Sequence, residues 1–388
     1  MSGVRRFAIV APNFYPRVCG VGDHTARLGA ELQRRGHDVA IVSRDPVERH
    51  PDAPELNVRG VSGGWPTAIA RHAFAAVAEF RPTDLILQYT PQMWNAGRFG
   101  SPAAVWLAAR ARRLGARVTV IAHELAVPFL ARPDLAVAAG LQRVQLAALI
   151  KACDRFLVTT ETRARYLSRL CRLLRVAEPG IVRVGPGALP VERERRLDVG
   201  PDMAPRIGFF STAAVGKRFD VVLEAFEQIS RKVPAAELVL IGDLGSPNQR
   251  GVRVIMDAVA RHPAKARIRM TGRLSLPEIA SEMAGLDLYL FPMSTGANTR
   301  SSTLPVALGV GLPIVAVRGS ETDLALFRDN ENVVFAREMT GAAFAEASLR
   351  LLADPLALER VAEGGRHLYD AHLTWKRIVD HLLAAIEG

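Results

Sequence analysis

Short apolar runs recur along this chain and alternate with longer stretches whose apolar residues return every three or four positions. The first kind reads as buried strands and the second as amphipathic helices. In the first half the pattern predicts strands over 7–12, 38–43, 84–89, 117–122 and 155–160, with a weaker one near 55–61. Helices are predicted between them over 22–35, 66–80, 101–114, 134–151 and 161–175. Such alternation implies a parallel sheet with right-handed crossovers, hence a Rossmann-like domain. Segment 185–205, rich in Gly, Pro and charge, breaks the rhythm. It restarts with strands over 206–210, 236–241, 266–271, 286–291 and 313–317, and a short one near 332–335. Helices are predicted over 219–232, 249–262, 276–284, 300–311, 340–353, 355–369 and 374–387. The expected fold class is α/β, with two tandem Rossmann-like domains facing across a cleft. The N-terminal domain takes 1–190, a linker 191–205 and the C-terminal domain 206–372. The last helix, within 373–388, is expected to pack back towards the N-terminal domain.

With 388 residues, 49% of them hydrophobic, the chain can bury two cores. Charged residues, Gly or Pro interrupt every apolar stretch, so none is expected to span a membrane. The start, MSGVRRFAIVAPNF, runs into a strand without a cleavable signal pattern. Cys19, Cys153 and Cys171 are widely spaced, which fits a reducing cytosol and a cytoplasmic protein, at the inner face of the membrane in one variant of that reading. The net charge of +11 is almost all Arg, since the lysines are only Lys151, Lys217, Lys232, Lys265 and Lys376. No helix-turn-helix, zinc module or aromatic RNA-binding pattern accompanies it, so no nucleic-acid partner is expected. A phosphorylated substrate or an anionic membrane suits the charge at least as well. Thr162–Val176 carries Arg163, Arg165, Arg169, Arg172 and Arg175 beside Tyr166, Leu167, Leu170, Leu173 and Leu174. It could rest on an anionic membrane, or be a core-packed helix with a solvated basic face.

The densest chemistry lies in 286–317, LDLYLFPMSTGANTRSSTLPVALGVGLPIVAV. A strand ends at Pro292 and a polar loop follows with Ser294, Thr295, Gly296, Asn298 and Thr299. A helix is then expected from near Arg300 to Gly311, ahead of Pro313. Ligands of open α/β sheets bind beyond the carboxyl ends of strands, where a helix start offers free amides to an anion. Gln88 and the pair His123–Glu124 end neighbouring strands of the first domain. The Cys19–His24 loop lies too far from its strand to be the dinucleotide fingerprint, which disfavours a nicotinamide dehydrogenase. No Asp-x-Asp pair occurs, so neither a metal nor a cofactor is expected.

Five motifs follow one another in a telling order: PNFYPRVCGVGDHTARLGAELQRRGHDVAIVS, GFFSTAAVGKRFDVVLEAFEQI, LVLIGD, MTGRLSLPEIASEMAGLDLYLFP and the 286–317 segment. Over roughly 7–340 the chain resembles the group-1 (family-four) retaining glycosyltransferases of the GT-B fold. The resemblance implies transfer of a sugar from a nucleotide sugar to an acceptor hydroxyl on a glycan, a lipid-linked molecule or a small molecule. It gives Lys217 the donor diphosphate and His123 the donor sugar, the two catalytic roles. Gly20 and Gly22 would face the sugar and diphosphate. Arg273 and Leu274 mark the turn that passes the nucleotide base. Glu124 could orient His123 or bind acceptor, and Asp23 and His24 could do either. Many relatives carry an Arg five residues before the lysine; here that place is Thr212, and Arg218 or Arg300 could replace the charge. The family's two carboxylates fall at Asn298 and Val306. Asn298 can still bond a sugar and Val306 cannot, which leaves Thr299, Arg300, Ser301 and Ser302 as substitutes in a variant donor site. Two alternatives stay open: a non-catalytic nucleotide-sugar-binding protein or partner subunit, and a sugar-nucleotide epimerase.

Overall fold

Two parallel sheets, each threaded through layers of helices, carry the chain. The computed structural model describes residues 3–17, 19–63, 67–94, 101–126, 133–193, 204–210, 217–246 and 249–388. The contacts divide these into one unit of residues 1–184 and 375–388, and another of residues 185–374. The break falls between Val184 and Gly185, ahead of the 191–205 segment, of which 194–203 lies outside the described residues.

In the first unit the described strands are β1 (Arg6–Val10), β2 (Asp38–Arg44), β3 (Asn57–Val61), β4 (Asp84–Tyr89), β5 (Arg117–Ala122), β6 (Arg155–Val158) and β7 (Gly180–Ile181). Their order is β3-β2-β1-β4-β5-β6-β7, and every pair is parallel. The helices are α1 (Gly20–Arg34), α2 (Thr67–Phe80), α3 (Pro91–Trp94), α4 (Ala103–Arg113), α5 (Pro133–Ala152) and α6 (Glu161–Leu174). Central strands are buried on both faces, as parallel sheets demand, so β4 is buried at every position and shows no polar alternation. Contrary to the sequence expectation, the Leu135–Ala152 part of α5 is long and apolar enough to cross a membrane by length and composition. It instead packs Leu146, Leu149 and Ile150 into the core of this unit.

In the second unit the described strands are β8 (Arg206–Phe210), β9 (Glu237–Ile241), β10 (Ile268–Met270), β11 (Leu288–Phe291), β12 (Ile314–Val317) and β13 (Val334–Ala336). They lie in the order β10-β9-β8-β11-β12-β13. Around them run α7 (Phe219–Lys232), α8 (Arg250–Arg261), α9 (Leu276–Ala284), α10 (Leu304–Gly309), α11 (Gly341–Leu352) and α12 (Pro355–His372). Local signals set the helix starts. Ser275 and Glu278 form a capping box ahead of α9, and Thr340 and Asp354 cap α11 and α12 through their side chains.

The last helix, α13 (Trp375–Glu387), belongs to the first unit. Its Ile378, Val379, Leu382 and Ile386 join Leu28 and Leu32 of α1 in one core cluster. Arg35 pairs with Asp380 at 2.7 Å. Arg117 and Arg155, which open β5 and β6, donate to the carbonyls of Ile386 and Ala385 at 2.9 and 3.0 Å. Those carbonyls lack helical partners at the end of α13, so two guanidiniums complete that end and meet the negative pole of the helix.

Gly296 shows how tightly the 292–303 loop is held. Its φ is +83°, and a Cβ there would collide with Thr322 Oγ1 and Gly319 N. Gly296→Ala should therefore lower stability by at least about 2 kcal/mol. Urea denaturation followed by circular dichroism would show a lower midpoint; an unchanged midpoint would mean the loop yields freely.

Candidate functional site

The second sheet changes direction between β8 and β11. From β8 the chain builds outward through β9 and β10, and from β11 through β12 and β13. The carboxyl ends at such a reversal splay apart and leave a crevice. Lys217 stands there. Its backbone bridges to Met293, just past β11, and the next amide, Arg218 N, donates to Pro292 O at 3.2 Å. Its Nζ lies 3.4 Å from the carbonyl oxygen of Phe210, the last residue of β8, and 5.6 Å from the centre of that ring. The side chain is partly buried and forms no ion pair among the described residues. Burial alone pulls the ammonium down from its ordinary value to about 8. Near pH 7 it remains mostly charged, a desolvated cation without a counter-ion.

The loop after β11 departs from expectation. The helix predicted from Arg300 begins at Leu304 and is six residues long, all buried. Ser301 is the reason. Its Oγ lies 3.3 and 3.4 Å from the amides of Thr303 and Leu304 and 2.8 Å from Thr303 Oγ1. A serine hydroxyl that takes nearby amides competes with the helix, and Pro305 has no amide to offer. The helix start expected at residue 300 is therefore not formed there, and side chains take the amides of Arg300, Thr303 and Leu304. Asn298 is also occupied. Its Nδ2 donates to Thr295 Oγ1 at 3.3 Å and Gly296 O at 3.0 Å, while its Oδ1 accepts from Arg300 N at 3.1 Å. Arg300 pairs with Glu321 at 3.1 Å. Thr299 is 1% exposed. Ser302 accepts Gly187 N at its carbonyl, at 2.9 Å. Val306 is buried within the core cluster of this sheet face.

Of the remaining cations, Arg218 is exposed and holds both carboxylate oxygens of Asp220 through its Nε and Nη2. Arg273 follows β10, exposed and with no ion pair among the described residues, and Leu274 packs against the core. Thr212 lies outside the described residues. A cleft of about 600 Å³ opens in this unit near Asp287, Gly311 and Arg366. Asp287 precedes β11 and Gly311 precedes β12, so the cleft lies at the opposite, amino ends of the strands and holds none of the residues above.

The first sheet reverses between β1 and β4. The helix after β1 starts at Gly20, so Gly20 and Gly22 form its first turn and are not a loop before it. A Cβ on Gly22 would sit 3.2 Å from Asn13 O and 3.3 Å from Phe14 Cα, whereas one on Gly20 would meet nothing within 4 Å. Gly22 thus lets the incoming loop close on the helix, and Gly20 leaves open space. Asp23 Oδ1 lies 3.3 Å from His50 Nε2. His24 is buried, with neither ring nitrogen hydrogen-bonded among the described residues. Burial drives its pKa down to about 4, so it is neutral at working pH. Its ring stands edge-on to His123, centroids 5.0 Å apart, and 5.1 Å from the ring of Trp375.

His123 is held from several sides. Its amide donates to Tyr89 O at 2.8 Å, and its Nε2 lies 2.7 Å from Gln88 Oε1 on β4. Buried Arg163 on α6 donates to the His123 carbonyl and pairs with Glu124 at 3.2 Å. Because an amide oxygen only accepts, Nε2 carries the proton in this arrangement. The first sheet thus brings together His24, His123, Glu124 and Gln88 at its strand ends, with Asp23 turned to His50. Arg163 and Trp375 were not foreseen as part of this cluster. Arg163 stood out only as one of five arginines, and Trp375 is separated from His24 by most of the chain.

Sequence comparison agrees with this geometry. Residues 18–182 match the sequence model of Glycosyltransferase Family 4, and residues 204–354 that of Glycosyl transferases group 1. The architecture is the GT-B glycosyltransferase fold. It superposes on sucrose-phosphate synthase from Thermosynechococcus elongatus with TM-score 0.75 at 17% identity, covering 98% of each chain. Anabaena HepE, solved with UDP and glucose, gives TM-score 0.70 at 13% identity, covering 99% of this chain and 100% of that one. The chain belongs to the group 1 glycosyltransferases and is an enzyme of sugar transfer. It is 24% identical over 326 residues to a GDP-mannose-dependent alpha-mannosyltransferase of Mycolicibacterium smegmatis, covering 80% of this chain and 79% of the relative. It is 26% identical over 330 residues to one of Mycobacterium tuberculosis, covering 81% and 79%.

The electrostatics of Lys217 can be read directly. After reductive ¹³C-methylation, one lysine resonance should titrate near pH 8 and vanish in Lys217→Arg. A lysine at that position titrating at its ordinary value would show that it is not desolvated.

Proposed function

We propose that this glycosyltransferase takes its sugar from a nucleoside diphosphate sugar, holds the diphosphate at the β8/β11 reversal and delivers the sugar to a hydroxyl with retention of configuration. The observation that carries this reading is Lys217, a desolvated ammonium without a counter-ion among the described residues, at a strand-end crevice. As the glycosidic bond breaks, negative charge grows on the departing diphosphate, and a fixed cation in a low-dielectric site stabilises that charge more than water would. The second unit holds the nucleotide and the first unit the acceptor. His123, fixed by Gln88 and carrying its proton on Nε2, suits a sugar hydroxyl. The departing phosphate itself takes the acceptor proton, in keeping with the family's retaining chemistry. With Lys217 supplying the positive charge, the diphosphate is handled without a metal ion. Three free thiols fit a cytoplasmic enzyme.

One charge-assisted hydrogen bond contributes about 1.5–3 kcal/mol, whereas micromolar affinity requires about 8 kcal/mol. Lys217 therefore shares the nucleotide with other groups. Arg273, without an ion pair among the described residues and two strands away, so about 10 Å along the sheet, suits its far end. Asn298 supports the site by shaping its loop, since its own side chain is already hydrogen-bonded. The mycobacterial relatives make GDP-mannose the first donor to test.

Incubation with labelled GDP-mannose and a panel of glycan, lipid-linked and small hydroxyl acceptors should give transfer that persists in EDTA. Lys217→Ala should weaken binding of the nucleoside diphosphate about ten- to hundredfold. Binding of donor without transfer to any acceptor, or sugar released only as an isomerised nucleotide, would overturn the transfer reading.

A further inference from the structure

Helices α5 and α6 lie side by side on one face of the first sheet and contribute Leu149, Ile150, Leu167 and Cys171 to the core beneath them. Their outward sides are unusual. On α5, Val137, Leu141 and Val144 are 56%, 45% and 68% exposed. The spacing i, i+4, i+7 makes them one stripe, which continues to exposed Lys151, about 20 Å along the helix. On α6, Tyr166 and Leu173 are exposed beside Arg165, Arg169 and Arg172, with Arg175 just past the end.

These cations are not neutralised. The side chains of Lys151, Arg165, Arg169, Arg172 and Arg175 make no ion pair or hydrogen bond among the described residues. The carboxylates close by are engaged elsewhere: Glu161 with Arg183, Glu124 with Arg163, Asp154 with Arg112, and Glu178 with the Ser168 hydroxyl. An apolar stripe beside unpaired arginines calls for a partner that is greasy within and negative at its surface.

We propose that the outer face of α5 and α6 docks this enzyme on an anionic lipid bilayer, with Val137, Leu141 and Val144 entering the acyl boundary and the arginines meeting lipid phosphates. A second copy of the chain fits poorly. A two-fold contact sets the same patch against itself, so two surfaces of like positive charge would meet. The docking goes beyond the transfer reaction and holds whichever donor is correct. α5 is also the helix that follows β5 and His123, so docking favours an acceptor presented at the membrane surface; that consequence alone rests on the proposed function.

The test is co-sedimentation of the full chain with phosphatidylcholine vesicles, with and without about a third phosphatidylglycerol. Binding should require the anionic lipid and fall as salt rises. Each of Arg165→Gln, Arg169→Gln and Arg172→Gln should weaken partitioning about fivefold. The pair Leu141→Ser and Val144→Ser should remove the part of binding that survives high salt. All these variants should keep the native circular dichroism spectrum and the wild-type affinity for nucleoside diphosphate. Equal binding to neutral vesicles, no binding at all, or unchanged binding when Arg165→Gln, Arg169→Gln and Arg172→Gln are combined in one chain would overturn the proposal. So would a dimer, seen by light scattering, that Val144→Arg dissolves. Loss of nucleotide affinity with vesicle binding intact would count against the donor site only.

Discussion

An ammonium that has lost water and gained no counter-ion is an unstable arrangement unless something is meant to approach it. Among the described residues Lys217 is in that position, because of the fold. A parallel sheet must place its strand ends on one side, and where the strand order reverses no crossover helix covers the gap. The bridge from Lys217 to Met293 and the bond from Arg218 to Pro292 fix the lysine backbone across that gap. Phe210 supplies a carbonyl and a ring face, which orient the charge without neutralising it.

The surrounding loop serves this site by being rigid. Asn298 closes the turn, Arg300 ties it to Glu321, and Gly296 lets the 319–322 segment come into backbone contact. Polar side chains that read as sugar ligands are mostly spent holding one another. The first unit follows a similar logic. His123 is clamped by Gln88, Tyr89 and Arg163, while neutral His24, itself backed by Trp375, stands edge-on to it without adding charge.

The fold was largely legible because parallel strands buried on both faces leave continuous apolar runs, and the helices between them carry clear stop signals. Gly36, at φ +85°, ends the turn after α1 where expected, and α7 and α9 run over the predicted 219–232 and 276–284. The family and its GT-B architecture were readable from the order of motifs. Three features were not. The start of α10 depends on whether Ser301 bonds the backbone, which composition does not reveal. The first turn of α1 begins at Gly20 although glycine is a poor helix former, because Gly22 must pack on Asn13 and Phe14. The contact between His24 and Trp375 joins the two ends of the chain, beyond the reach of any local pattern.

The role of Lys217 can be tested by counting protons. If its pKa is near 8 when free and rises when a diphosphate pairs with it, binding at pH 8 must take up protons, at most about half a proton per site. Calorimetric titration with GDP in buffers of different ionisation enthalpy measures this number. Uptake in the wild type that disappears in Lys217→Met is the expected result. Binding with no proton uptake, or with the same uptake in Lys217→Met, would show that the diphosphate goes elsewhere.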